Sequence, residues 1–318
     1  MTGQSATGVA NPTTGTGAGT VAEPFGARLA AAMAAHGPLC VGIDPHAALL
    51  ADWGLPDTVA GLETFALRCV EAFGGQVACV KPQSAFFERH GSAGVAVLER
   101  VVAGLREAGT LCLLDVKRGD IGSTMTGYAQ AYLGDGPLGA DAMTVSPFLG
   151  YESLRPALDL AAQNGRGLFV LALTSNPEGA TVQHAVPTAA SGAPGEAGAA
   201  GADARSVAGD IVAGVTRDNA DAAAAGRLGS VGMVVGATIA ADIARLGLDL
   251  AAADAPLLAP GIGAQGGSGR ELAEAVGAAR GAILAASSRE VLRAGPDVAA
   301  LAAAARATAQ RLTQELGA

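Results

Sequence analysis

Short apolar runs alternate with amphipathic stretches along most of this chain. The runs are LCVGID (39–44), QVACVKP (76–82), LCLLDVK (111–117), ADAMTVSP (140–147), GLFVLALTS (167–175), SVGMVVGAT (230–238), PLLAPGIGA (256–264) and GAILAASSR (281–289). Each is short and apolar at successive positions, the pattern of strands covered on both faces. The stretches between them carry apolar residues at helical spacing. Residues 59–73 place Leu62, Phe65, Ala66, Cys69, Val70 and Phe73 on one side, and 94–108 do the same with Val97, Leu98, Val101 and Leu105. Further helices are predicted over 24–36, 124–133, 151–163, 208–225, 239–246, 268–280 and 298–315. Gly37-Pro38 stops the first of these, and Ser268 and Glu271 have capping-box spacing at the start of 268–280.

Eight strands alternating with helices predict an α/β fold, a single (β/α)8 TIM barrel preceded by an N-terminal helix. An open doubly wound sheet fits less well, because no Gly-rich turn follows the first strand. Residues 1–22 are small, polar and aperiodic and are expected to form a disordered tail. The catalytic domain is then 23–318, with the Ala/Gly/Pro-rich segment 183–207 expected to be a flexible insertion within it.

Composition narrows the function. Half of the 318 residues are hydrophobic but only 3% are aromatic, so many helix contacts must run through alanine. The net charge of −9 argues against nonspecific nucleic-acid binding, and an anionic ligand would need a locally positive pocket. Cys40, Cys69, Cys79 and Cys112 show no Cys-x-x-Cys spacing and three lie in strand-like runs. They read as reduced, buried thiols of a cytoplasmic protein and not as a zinc site. The N-terminus has neither a basic nor an apolar leader region, so no secretory signal is expected, and no apolar run is long enough to predict a membrane span.

Barrel active sites lie at the carboxyl ends of the strands. Those ends carry Asp44, Lys81, Asp115 and Lys117, Ser146, Thr174 and Ser175, Gly261 and Gly263, and Ser287, Ser288 and Arg289. In a regular strand Asp115 and Lys117 share a face, whereas Asp120 lies beyond the strand, where the turn sets its direction. Structural ion pairs closing the barrel rim are the plain alternative for Asp115–Lys117 and for Asp44–Lys81. Together the four groups would form an alternating array that keeps both lysines protonated. A fixed carboxylate beside a fixed ammonium suits decarboxylation: the first crowds a substrate carboxylate, and the second stabilises and protonates the carbanion. After strand seven, Gly261, Gly263, Gln265 and Gly266 precede a helix N-terminus, and Arg289 follows strand eight. This resembles a phosphate cradle, although a tight strand-to-helix turn and a solvated Arg289–Glu290 pair would leave the same pattern.

Asp115-Val-Lys117-Arg-Gly-Asp120-Ile-Gly-Ser-Thr124 closely resembles the signature of the orotidine 5′-phosphate decarboxylase family. Gly42-Ile-Asp44-Pro45, Val80-Lys81-Pro82-Gln83, Leu173-Thr-Ser-Asn-Pro177, Pro260-Gly-Ile-Gly-Ala-Gln265 and Ser287-Ser-Arg289 extend the resemblance to the bacterial type 2 subgroup, over about 24–295. The resemblance implies conversion of orotidine monophosphate to uridine monophosphate without cofactor or metal. It implies that Lys117 protonates C6, Asp115 lies beside the substrate carboxylate, Lys81 orients Asp115 and contacts the ribose, and Asp44 binds a ribose hydroxyl. Ser175 would contact the pyrimidine. Gln265, Arg289 and the backbone of Gly261, Gly263 and Gly266 would hold the phosphate. Asp120 and Thr124 would reach the neighbouring site of a homodimer. Related sugar-phosphate decarboxylases and hexulose-phosphate synthases share the Asp-x-Lys-x-x-Asp block but resemble one another in using a strand-two acid and magnesium. Here strand two ends in Lys81, which repels a cation. A noncatalytic nucleotide- or phosphate-binding barrel is the other alternative.

Overall fold

The computed structural model describes residues 22–187, 205–262 and 268–317. Eight parallel strands close into a barrel in sequence order. They are β1 Leu39–Ile43, β2 Cys79–Pro82, β3 Leu111–Arg118, β4 Ala142–Val145, β5 Gly167–Leu173, β6 Val231–Val235, β7 Leu257–Pro260 and β8 Ile283–Ser287. Direct pairing of β1 with β8, through Cys40 and Ala286, closes the ring. The single (β/α)8 barrel expected from the periodicity is thus the observed fold.

The period-two alternation of each strand divides the core. One set of side chains fills the barrel: Cys40, Cys79, Leu111, Leu113, Ala142, Phe169, Val234, Leu258 and Leu284. The other set, including Val41, Val80, Cys112, Leu114, Met143 and Val170, packs outward against the helices. The predicted helix stripes supply that outer layer. Helix α1 (Phe25–His36) has a different task. Its Phe25 and Leu29 join the interior set, and the Phe25 ring meets Phe169 edge-on at 6.0 Å. This helix plugs the amino end of the barrel with apolar side chains, so polar groups pointing into the barrel can gather only at the carboxyl end.

Predicted and observed helices agree closely where the apolar stripe is long. Val59–Phe73 matches its expectation and Gly91–Glu107 extends its own by three residues at the start. Thr58 caps the first by accepting a hydrogen bond from the Gly61 amide at 3.3 Å. The 151–163 segment begins as a 3-10 turn (Tyr151–Leu154) before Arg155–Gln163, and 208–225 is broken into Val207–Asp218 and Ala220–Ala224. Four short helices, Ala47–Asp52, Ala85–Glu88, Gly179–Gln183 and Arg289–Leu292, fall where no helix was predicted. Nearly all of the predicted 1–22 tail, and most of the 183–207 insertion, lies outside the described residues. Among the described residues no helix is long and apolar enough to cross a membrane.

Candidate active site

The cavity at the carboxyl end of the barrel has a volume of about 630 Å³, the size of a small-molecule site. Its charged wall follows from strand parity. Lys81 lies two residues beyond the interior Cys79, Asp115 two beyond Leu113, and Thr144 two beyond Ala142. Each is therefore the next inward-pointing position above an apolar layer. Asp44 continues the same parity in β1, above Cys40 and Gly42.

Asp115 sits at the centre of this wall and its side chain is 8% exposed. Its Oδ2 accepts hydrogen bonds from Lys81 Nζ at 2.7 Å and Gln83 Nε2 at 2.9 Å. Its Oδ1 accepts from Lys117 Nζ at 2.5 Å and from the Thr144 hydroxyl at 2.9 Å. Four donors thus occupy the roughly four lone-pair sites of the carboxylate. Burial pushes the Asp115 pKa upward, but Lys81 and Lys117 outweigh it and hold the carboxyl well below its usual range. Burial likewise opposes the charge on Lys81, and the fields of Asp115 and then Asp44 reverse that effect, raising its pKa above the usual lysine value. Both groups are charged at neutral pH.

Asp115 and Lys117 meet as expected, but not through a regular pleat. Leu114 pairs with Met143 and Arg118 with Val145, so Asp115, Val116 and Lys117 all stand opposite Thr144. The strand bulges there, and Lys117 has φ 46°, in the left-handed region. For a non-glycine residue that conformation costs about 1–3 kcal/mol and persists only when its surroundings enforce it. The bulge separates the Val116 and Lys117 amides from the ladder, and both donate to Thr144 Oγ1, at 3.0 and 2.9 Å. Next in the chain, Arg118 bonds Glu88 at 2.6 Å and the Tyr132 hydroxyl at 3.1 Å, anchoring the far side of the bulge.

The expected four-membered array is corrected in one respect. Lys81, Asp115 and Lys117 are in direct contact, but Asp44 makes no ion pair within reach of Lys81 among the described residues, and its buried Oδ1 has no hydrogen-bond partner. Asp44 still lines the cavity, and its field reaches Lys81. Strand four also contributes Thr144 to the cavity wall where Ser146 was expected, because β4 ends at Val145 and Ser146 lies past it.

On the opposite wall lie Ser175, Gly261, Ser287, Ser288 and Arg289. Ser175 packs against Gly236 so closely that a β-carbon there would lie 2.9 Å from its amide nitrogen, so the position just after β6 needs glycine to seat it. Gly261 has φ 95°, which a side chain would strain, and it brings bare backbone to the rim. Ser268 caps helix Gly269–Val276 by accepting from the Glu271 amide at 3.3 Å. Arg289 is exposed at the rim. Glu290 is not its partner, since that carboxylate binds Arg311 at 2.8 Å. The proposed phosphate residues Gly263, Gln265 and Gly266 lie outside the described residues.

Asp120 and Thr124 do not line this cavity. Asp120 accepts from the Ile121 amide at 2.8 Å, and Thr124 is exposed on helix Gly122–Leu133. Thr144 and Gln83 are the two hydrogen-bond partners of Asp115 that sequence reasoning gave no role. The inward parity above Ala142 was the available signal for Thr144, and for Gln83 only its position beyond Lys81.

A family model described as orotidine 5′-phosphate decarboxylase / HUMPS family matches residues 37–304. An orotidine 5′-phosphate decarboxylase of Salinispora arenicola is 58% identical over 286 residues, covering 89% of this chain and 95% of the relative. One from Streptomyces coelicolor is 55% identical over 284 residues, with the same coverage. Among solved structures, a Streptomyces avermitilis protein provisionally named orotidine 5′-phosphate decarboxylase is 55% identical with a TM-score of 0.84, covering 95% of this chain and 99% of that one. The Leishmania donovani OMP decarboxylase structure is 29% identical with a TM-score of 0.67, covering 91% and 98%. This chain belongs to the orotidine 5′-phosphate decarboxylase / HUMPS family.

Proposed function

We propose that this protein is an orotidine 5′-phosphate decarboxylase, releasing carbon dioxide from orotidine monophosphate to give uridine monophosphate. The observation that carries this reading is the Asp115 carboxylate fixed between Lys81 and Lys117 at the cavity wall. Asp115 is held ionised, so a substrate carboxylate placed beside it is repelled in the ground state, and that repulsion disappears as carbon dioxide leaves. The C6–carboxylate bond breaks with its electron pair left on C6. The Lys117 ammonium stabilises that charge and donates its proton to C6, then regains one from water. Lys81 keeps Asp115 in place, and Asp44 at the cavity wall suits a ribose hydroxyl. Arg289 and the backbone at Gly261 suit the phosphate, with Gln265 beside them in sequence, and Ser175 suits the pyrimidine.

A metal-dependent sugar-phosphate reaction fits these residues less well. Both Asp115 oxygens already hold an ammonium, so a divalent cation would have to displace one. The reading therefore needs neither metal nor cofactor. A homodimer is part of the proposal. Asp120 and Thr124 lie outside their own cavity, and next to them Ile121 is 61% exposed and Phe148 76% exposed. The two apolar side chains belong to neighbouring loops, because Gly119 runs against the Ser146 carbonyl. A second copy covering this patch would bury them and bring Asp120 towards its site. Four free, buried cysteines support a cytoplasmic location.

The test is orotidine monophosphate turnover followed by ultraviolet absorbance with excess EDTA. Undiminished turnover is expected. Folded protein that fails with and without magnesium would remove the decarboxylase reading in favour of a binding protein or a sugar-phosphate enzyme.

A further inference from the structure

On strand four, Thr144 bonds both the Asp115 carboxylate and the Lys117 backbone. A hydroxyl has one proton to donate and two lone pairs to accept with. At Thr144 all three are committed: it donates to Asp115 Oδ1 at 2.9 Å and accepts from the Val116 and Lys117 amides at 3.0 and 2.9 Å. The residue is 1% exposed, so water has no ready access to replace those bonds. The two amides belong to the β3 bulge, where they have lost their places in the ladder, and one of them is that of Lys117 in its left-handed conformation.

We infer that Thr144 is a positioning residue, whose hydroxyl locks the β3 bulge and so fixes the Lys117 ammonium relative to the Asp115 carboxylate. The inference rests on the decarboxylase reading above. Buried backbone amides must be paired, and the bulge offers them no strand partner. Without the hydroxyl, the Lys117 backbone has every reason to leave its strained conformation and carry Nζ with it. The ion pair with Asp115 is a weak constraint on Lys117 by itself, because that side chain is 47% exposed and has four rotatable bonds. Thr144 has no hydrogen-bonding capacity left for a ligand, so its contribution belongs to the chemical step and not to substrate binding.

The experiment compares wild type, Thr144→Val and Thr144→Ser for kcat and KM on orotidine monophosphate, and for hydrogen exchange at the Lys117 amide. Valine keeps the shape and removes the hydroxyl, whereas serine restores it. The expected result is a fall in kcat of about 10- to 100-fold for the valine variant, the scale of small misplacements of reacting groups. KM should stay near the wild-type value, serine should recover most of kcat, and only the valine variant should exchange the Lys117 amide faster. Should Thr144→Val not fold, Thr144→Cys, with its weakly bonding thiol, takes its place in the comparison. An unchanged kcat, a loss carried by KM, or a serine variant as impaired as valine would overturn the positioning role. Wild-type protein without turnover would instead defeat the decarboxylase reading, and Thr144's role in that reaction with it.

Discussion

Replacing Asp115 by asparagine should destabilise the protein strongly while barely changing its shape. The carboxylate and the Lys81 side chain are each 8% exposed and 2.7 Å apart. Lys81 has Asp115 as its direct acidic partner, and an amide removes the charge that compensates the buried ammonium. Breaking a buried pair from one side costs about 3–5 kcal/mol. The Lys117 contact adds little to that figure, because its side chain is half exposed and solvent screens the pair. Urea denaturation at pH 7 should therefore show Asp115→Asn about 3–5 kcal/mol less stable than wild type. The pH dependence has a definite sign. Asp115 is depressed in the folded state, so its stabilisation is present above the unfolded value near pH 3.9 and is lost as pH falls through the folded pKa. The gap to the asparagine variant must then close in strong acid. Lys81 is raised, so its contribution is complete below the unfolded value near pH 10.4 and is lost as pH rises through the folded pKa. Replacing both partners, as Lys81→Met with Asp115→Leu, should recover much of the stability and none of the activity, because the pair opposes desolvation without repaying it fully. An asparagine variant as stable as wild type at pH 7 would refute the claim that the pair is desolvated.

Two further outcomes follow from the rim and from the proposed dimer. Arg289→Gln should raise KM for orotidine monophosphate roughly 10- to 100-fold with a smaller effect on kcat, since a hydrogen bond to a charged group is worth about 1.5–3 kcal/mol; an unchanged KM in steady-state kinetics would remove Arg289 from the phosphate site. Mixing inactive Lys117→Ala with inactive Asp120→Ala subunits should restore up to about a quarter of wild-type activity, because half of the dimers would be hybrids with one intact site each; no recovery despite demonstrated subunit exchange would sink the shared site.

The barrel was legible because eight buried strands each carry an uninterrupted apolar run, and their carboxyl ends carry the charge. Lys81, Asp115 and Lys117 could be placed together from that rule alone. Thr144 could not be singled out so easily, because a threonine inside a strand also serves as an ordinary β-branched filler. Its role depends on the bulge opposite it, and bulges leave little trace in hydrophobic periodicity. The same bulge explains why Asp115 and Lys117 meet by a different route from the pleat that parity suggested. Asp44 and Lys81 looked equally suited to pair, but charge type does not fix direction: Lys81 leans to Asp115, and Asp44 Oδ1 is buried without a partner. Short helices such as Ala85–Glu88 escaped notice because so few residues cannot establish a 3.6-residue period.

The Lys117 ammonium, held beside Asp115, is expected to complete the loss of carbon dioxide by protonating C6. Lys117→Ala tests this step when assayed for orotidine monophosphate turnover and, separately, for affinity towards uridine monophosphate by calorimetry. Product binding should persist while kcat falls by about 10²- to 10⁴-fold or more, the range expected for removing a positioned general acid. A variant that binds the nucleotide and still turns over at the wild-type rate would contradict it.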